Sequence, residues 1–351
     1  MRQLRTAVIG LGRVGWQFHV PQVIKHEGFS LVAVVDPLDE RLAEAQATFG
    51  SALKEPLRTY RDHLTMLDET RPDLVVICSP TRFHLEQALA AFAHGCDVFC
   101  DKPMTTTLEE ADTMIAAARD AGRKLMVYQP HRAMVEVVAL QDILRRDLLG
   151  PVYMMKRARS AYTRRHDWQA LRKYGGGMLN NYGAHFIDQL LYLAGSRAKR
   201  VSCALRTIAS LGDADDVVKA VIETESGIIL DLDINMAAAV PLTPWVVLGR
   251  CGSATLDEGA NAWRVRYFCP TDLAHIALDD SLAAPGRKYS SGETIPWREE
   301  SFPLADYAPV DFYARVYDYY TLDQAPYVPI AESREVMRVL DACRRDAEEC
   351  G

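Results

Sequence analysis

An apolar run, Ala7-Val8-Ile9, is followed at once by Gly10-Leu11-Gly12-Arg13-Val14-Gly15 and then by a segment of helical period. A G-x-G-x-x-G pattern at a strand-to-helix turn constrains the fold more than any other feature of this chain. The first glycine permits a tight turn, the second lets backbone approach a pyrophosphate, and the third lets the helix pack close to its strand. Amide groups at the helix start then face the phosphates, favoured by the helix dipole. A second apolar run, Leu31-Val32-Ala33-Val34-Val35, ends in Asp36, 21 residues past Gly15. A carboxylate there accepts both ribose hydroxyls of NAD and repels the 2′-phosphate of NADP. NAD is therefore the expected cofactor; Arg41, five residues on, leaves partial acceptance of NADP open.

At 351 residues the chain is long enough for two domains, each with its own core. Hydrophobic residues at 49% and charged residues at 25% are ordinary for a globular protein. A net charge of −7 argues against nucleic acid or an anionic membrane as the main partner. The eight cysteines (78, 96, 100, 203, 251, 269, 343 and 350) form no C-x-x-C pair, and the histidines show no metal-like clustering. No metal site or disulfide framework is expected, and reduced thiols fit a cytoplasmic location. The apolar run at the start is too short for a signal peptide, and none is long enough to span a membrane.

The first 130 residues alternate strands and helices at short intervals, which predicts a parallel sheet with helices on both faces. The expected strands are 6–10, 31–36, 74–78, 97–100 and 124–128, and Thr107 with Glu110 reads as a capping box opening a helix. Such sheets bind ligands beyond the C-terminal ends of their strands. Asp36, Ser79-Pro80-Thr81, Asp101-Lys102-Pro103 and Gln129 all fall at such ends and should converge on one cleft. After Gly150-Pro151 the texture changes. A strand over 152–161 and a helix running to about Leu193 are followed by short strands at 200–208, 217–223, 227–234, 246–249 and 253–257. The segment 278–303 reads as an irregular surface excursion. Two last helices, 310–322 and 332–348, are expected, the final one returning to brace the first domain. The division is 1–130 for the α/β dinucleotide domain and 131–351 for an α+β domain.

Lys102 follows the apolar run Val98-Phe99-Cys100 and precedes a proline, which holds its backbone at the cleft. Oxidation of an alcohol needs a group to take the hydroxyl proton as the C–H bond breaks, and a lysine serves where burial lowers its pKa. Most loop lysines are merely solvated; the strand-end position is what sets this one apart. Further on, Gly175-Gly176-Gly177-Met178-Leu179-Asn180-Asn181-Tyr182-Gly183-Ala184-His185 opens a helix. Asn181 and His185 share a face, as do Tyr182 and His185. Asp188 lies three residues beyond His185, where it is expected to fix the imidazole tautomer. Taken alone, a satisfied interior histidine explains His185 equally well.

Together these segments closely resemble the glucose–fructose oxidoreductase/inositol dehydrogenase (Gfo/Idh/MocA) family. The likeness rests on the glycine turn with Asp36, Cys78-Ser79-Pro80-Thr81 with His84, Asp101-Lys102-Pro103 and the Gly175–Asp188 segment, in that order, and it extends to Tyr327-Val328-Pro329. The resemblance implies a Rossmann domain and a C-terminal α+β domain with a large, mostly antiparallel open sheet that mediates a homodimer or homotetramer. It implies NAD(P)-dependent oxidation or reduction of sugars, inositols and related polyols. Cofactor-binding residues would be Gly10, Gly12, Arg13, Val14, Gly15, Asp36, Ser79, Pro80, Thr81, His84, Asp101, Lys102 and Gln129. Lys102 and His185 match the family's lysine and helix histidine. Two departures stand out: Asp101 where glutamate is usual, and Asn181 at the position of an aspartate. An amide cannot accept a proton, so a Lys–Asp–His relay is weakened, with Tyr182 as a substitute hydroxyl.

A basic run (Lys156, Arg157, Arg159, Arg164, Arg165, Arg172 and Lys173) precedes the glycines and reads either as a solvated face or as a subsite for an anionic sugar. Arg132, Trp168, Arg172, Asn181, His185 and Lys102 are the substrate-binding candidates. Two other readings compete with the dehydrogenase. One is a redox-poor NAD(H)-binding regulator, motivated by Asn181; the other is an enzyme using tightly held NAD for transient oxidation.

Overall fold

The computed structural model describes residues 3–53, 55–278 and 293–349. Six strands form the first sheet: β1 (Leu4–Ile9), β2 (Phe29–Val35), β3 (Arg58–Tyr60), β4 (Leu74–Ile77), β5 (Asp97–Asp101) and β6 (Leu125–Tyr128). Their order is β3-β2-β1-β4-β5-β6, with every pairing parallel. Helices α1 (Val20–Lys25), α2 (Asp39–Phe49), α3 (His63–Thr70), α4 (His84–Ala93) and α5 (Leu108–Asp120) make the crossovers. A sheet covered on both faces needs apolar side chains on both. Leu74, Val75, Val76 and Ile77 of β4 are accordingly all fully buried. The strand order reverses between β1 and β4, which opens a crevice at their C-terminal ends. The capping box at Thr107 is formed as expected. β3 was not foreseen: three residues, none fully buried, carry no periodic signal.

The second domain begins with α6 (Val135–Arg145) and β7 (Val152–Ser160), followed by α7 (Ala184–Ala194). Strands β8 (Ala198–Arg206), β9 (Val217–Thr224), β10 (Ile229–Asn235), β11 (Trp245–Gly249), β12 (Gly252–Asp257), β13 (Ala262–Tyr267) and β14 (Arg298–Pro303) complete it. The eight strands run β14-β13-β12-β11-β7-β10-β9-β8, all antiparallel except the parallel pair β7 and β10. Period-2 alternation puts Leu230, Leu232 and Ile234 in the core, while Asp231 and Asp233 take the other face. The expected irregular excursion over 278–303 needs correcting at its end, because 298–303 is edge strand β14. Only Phe302 of that strand is buried, so it shows no alternation to read. The part of the excursion over 279–292 lies outside the described residues.

The last two helices, α8 (Phe312–Leu322) and α9 (Ile330–Glu349), pack toward the first sheet. Phe312, Tyr313, Val316, Tyr317 and Tyr320 join the apolar cluster of Val8, Val34 and Phe99. Helix α9 reaches both domains. Arg334 pairs with Asp112 of α5 at 2.5 Å, while Glu335 accepts from the Ala198 amide of β8 at 2.9 Å.

Candidate active site

The glycine turn is built as its spacing requires. Gly10 sits at φ +100°, and a Cβ there would meet the Ser79 amide at 2.7 Å. A Cβ on Gly15 would overlap the Gly10 carbonyl oxygen, whereas a Cβ on Gly12 would meet nothing within 4 Å. Gly12 therefore faces open space, a cradle into which a pyrophosphate can come close. The helix leaves this turn through a π-type turn, Gly15–His19, before α1 begins; Val14 precedes it in helical conformation and Arg13 is exposed. Asp36 is buried at the end of β2. Its carboxylate accepts from the Leu11 amide at 2.9 Å and the Leu38 amide at 3.1 Å, and it meets Arg41 at 3.2 Å. The strand-end carboxylate is thus tied to the glycine turn. The Gln129 amide oxygen, buried at the end of β6, has no hydrogen-bond partner. An open Gly12, a fixed Asp36 and an orphaned amide fit a bound dinucleotide.

The turns after β4 and β5 are held by His84. Its ring nitrogens lie 2.8 Å from the Ser79 carbonyl and 3.1 Å from the Pro103 carbonyl, and the ring is buried. This corrects the expectation that His84 touches cofactor: the ring is buried with both nitrogens facing protein carbonyls, one of which takes its N–H, so it braces the turns that present Ser79, Pro80, Thr81 and Lys102. The Asp101 carboxylate accepts from the Lys102 amide at 2.8 Å.

Lys102 reaches across to the second domain. Its Nζ donates to the Asn181 carbonyl at 3.0 Å and to the Asn181 side-chain Oδ1 at 3.2 Å. Burial, helped by the nearby Arg13 charge, lowers its pKa to about 8 against the opposing pull of Asp101. The glycine run makes this crossing possible. Gly175, at φ +77°, lies against Thr81 and Thr106, and Gly177, at φ +105°, lies against the Asp215 carboxylate. Asp215 then accepts from the Leu179 amide at 2.8 Å, capping the start of the helical segment that carries Asn181 and His185. A π-type turn, Leu179–Gly183, carries Asn181 to Lys102 before α7 takes over with His185.

His185 is 8% exposed, and its Nδ1 has no partner. Burial first, then Lys102, His131, Arg13 and Arg157, hold its pKa well below 6.5. The expectation that Asp188 fixes its tautomer fails. Asp188 instead takes both the Nε and Nη2 of Arg132 at 2.6 Å, and Arg132 also meets Glu332 at 2.5 Å. That overturns the substrate role expected of Arg132: its guanidinium is buried and committed to two carboxylates. Tyr182 packs on Phe186 at 5.6 Å beneath Arg159, while Asn181 engages the lysine. Trp168 and Arg172 stand exposed on two short turns, and it is Gln169 between them that touches the centre, accepting from Asn181 Nδ2 at 3.4 Å. Of the basic run, Arg157 is buried between Phe186 and Trp245, and Lys156 pairs with Asp231. Sequence reasoning missed Gln169 and also His131, whose ring lies flat on His185. Neither belongs to a spacing pattern that could have marked it.

Comparison with known proteins agrees with this architecture. A profile described as the oxidoreductase family, NAD-binding Rossmann fold (GFO_IDH_MocA) matches residues 4–129, and that of the GFO/IDH/MocA C-terminal domain matches residues 137–255. D-glucoside 3-dehydrogenase of Escherichia coli (strain K12) is 33% identical over 198 residues, 55% of this chain and 54% of that protein. The chain thus spans about half the length of that relative. The uncharacterized oxidoreductase YdgJ of the same strain is 27% identical over 347 residues, 96% of this chain and 94% of its own. Among solved structures, an NAD-binding protein from Listeria innocua superposes with a TM-score of 0.82 at 24% identity, covering 99% of this chain and 96% of that one. The WlbA dehydrogenase from Bordetella pertussis, in complex with NADH and UDP-GlcNAcA, gives a TM-score of 0.77 at 20% identity, covering 100% and 98%. With both profiles matched in order across most of the chain, the protein belongs to the GFO/IDH/MocA family of oxidoreductases, and its first domain is an NAD-binding Rossmann fold.

Proposed function

We propose that this protein is an NAD-dependent dehydrogenase or reductase acting on a CH–OH carbon of a sugar, inositol or related polyhydroxy compound. The observation that carries the reading is the contact of Lys102 Nζ, from the end of β5, with Asn181 on the opposite domain, beside a buried His185. Bound NAD supplies the hydride acceptor, or in reverse its donor. Lys102 takes the hydroxyl proton in the oxidative direction, because burial leaves its amine partly neutral near pH 8. His185, kept neutral, orients a substrate hydroxyl through Nε2, the ring nitrogen that is not enclosed; Nδ1 is buried. Asn181 holds the lysine in place without storing a proton. The names of two relatives, D-glucoside 3-dehydrogenase and D-apiose dehydrogenase, support a sugar as the substrate class. A cytoplasmic location and assembly into a homodimer or homotetramer complete the proposal.

The test is NADH formation against a panel of inositols, aldoses, sugar acids and polyols, with Lys102→Met in parallel. Turnover of one class is expected, falling at least ~100-fold in the variant while NADH binding persists. Unimpaired turnover by Lys102→Met removes the lysine from the chemistry. Silence across the panel with NADH bound favours the regulatory reading.

A further inference from the structure

We propose that His131 is a positioning residue of the reaction centre: stacked on His185, it fixes that ring and keeps it uncharged, so that the substrate's proton stays with Lys102. The proposal rests on the reading of Lys102 and His185 as that centre. The turn Pro130–Ala133 after β6 is fastened to α7 at two points, the His131 carbonyl and the Arg132 side chain. Gln189 Nε2 donates to the His131 carbonyl at 2.9 Å, and Arg132 grips Asp188 through two bonds of 2.6 Å. Held so, the His131 and His185 rings lie parallel, with 3.7 Å between centroids and 7° between planes. The stack fixes the plane in which His185 can make hydrogen bonds.

It also fixes the charge. Two imidazolium rings at that separation would repel strongly, so the pair cannot both be charged, and the flat His131 ring covers one face of His185, which disfavours a charge there. The other charges facing the pair are cations on three separate elements: Lys102 after β5, Arg13 in the glycine turn and Arg157 on β7. Of the carboxylates on the packed elements, Glu136 on α6 faces Arg157, and Asp101 accepts from the Lys102 amide. Asp188 on α7 and Glu332 in α9 both pair with Arg132. Each histidine keeps a buried Nδ1 with no partner, so no carboxylate bonds there to stabilise a proton. Burial and these cations push His131 down to about 3 and His185 well below its ordinary value. Asn181 cannot hold a proton, His185 does not, and Tyr182 packs against Phe186 and Arg159 rather than on the lysine. The proton taken by Lys102 therefore leaves from Lys102 itself.

The decisive experiment is proton NMR of the His185 C2–H against pH in wild type, His131→Glu, His131→Ala and His131→Phe, with kcat and KM followed over the same range. Wild type is expected to show a His185 midpoint well below the ordinary 6.5. His131→Glu, which sets a carboxylate against the ring, should raise the midpoint by about one pH unit or more. His131→Ala, which removes the stack without adding charge, should raise it too and cost roughly tenfold or more in kcat. His131→Phe should keep the low midpoint and restore kcat. A wild-type midpoint near 6.5, or one unmoved by both Glu and Ala, overturns the proposal. The titration needs no substrate. A moved midpoint without turnover of any sugar sinks the functional reading and leaves the histidine coupling; turnover with an unmoved midpoint does the reverse.

Discussion

Lys102 shows how one side chain's surroundings set a pH range. In solution an ammonium loses its proton near 10.5, and burial in the cleft brings this one to about 8. The neutral amine is the form that accepts a proton, so the rate of substrate oxidation should rise with pH and level off above about 8. The reductive direction, which needs the ammonium, should show the opposite limb. Asn181→Asp places a carboxylate where an amide oxygen now accepts from Nζ at 3.2 Å. Opposite charge favours the ammonium, so the oxidative limb should move up by about one pH unit or more. At neutral pH that is a loss of roughly tenfold. A pH–rate profile of the two proteins checks this, and coincident limbs would show that Lys102 is not the titrating base. Lys102, Asn181 and His185 were legible in the sequence because a strand end and a helical spacing point them at one cleft. His131 was not, since its contact comes from a turn more than fifty residues away. Arg132 was legible as a charge near the cleft, yet its partners Asp188 and Glu332, which decide its role, lie on separate elements and form no sequence pattern.

Among the elements, two glycines make opposite predictions. Gly12 has an ordinary φ and nothing within 4 Å of a Cβ, whereas Gly177 sits at φ +105° with the Asp215 carboxylate in the way. Gly12→Ala should leave thermal stability unchanged and weaken NADH binding by about tenfold or more, because the added methyl stands where backbone must approach a phosphate. Gly177→Ala should lower stability by at least ~1 kcal/mol, since alanine resists that φ and Asp215 must release the start of the segment that carries Asn181 and His185. Melting curves with and without NADH separate the two. A melting loss in Gly12→Ala or none in Gly177→Ala would contradict the local geometry. The same contrast explains which elements could be read in advance. Strands buried on both faces gave continuous apolar runs at β1, β2, β4, β5 and β6, and half-buried strands such as β10 gave alternation. β3 and β14 gave neither, because a short strand and a largely exposed edge bury too few side chains to leave a period.

For the whole molecule, the large sheet has two unlike faces. The inner face, with Arg157, Trp245 and Trp263, is covered: Gln189 of α7 meets Arg157, and the Glu136 carbonyl of α6 takes the Trp263 indole. Register puts Lys156, Val246, Thr255, Asp231 and Val221 on the other face. There Val221 is 43% exposed, and Lys219 pairs with Asp231 and Asp233. On the proposal of a homodimer or homotetramer, this face, with Val221 and Val246 set among ion pairs, is where a second copy of the chain would sit. Light scattering should therefore give a native mass twice or four times that of one chain. Val246→Glu tests the face itself. Lys156 stands opposite Val246 in register and can neutralise the new carboxylate within one chain, so the fold should survive. Burying that charge between two chains costs several kcal/mol, enough to shift a dimer toward monomer. The variant should show unchanged circular dichroism and a mass nearer one chain. A wild-type mass of one chain, or a variant that stays assembled, would place any contact elsewhere and leave this face as a solvated surface, its apolar residues screened by their charged neighbours.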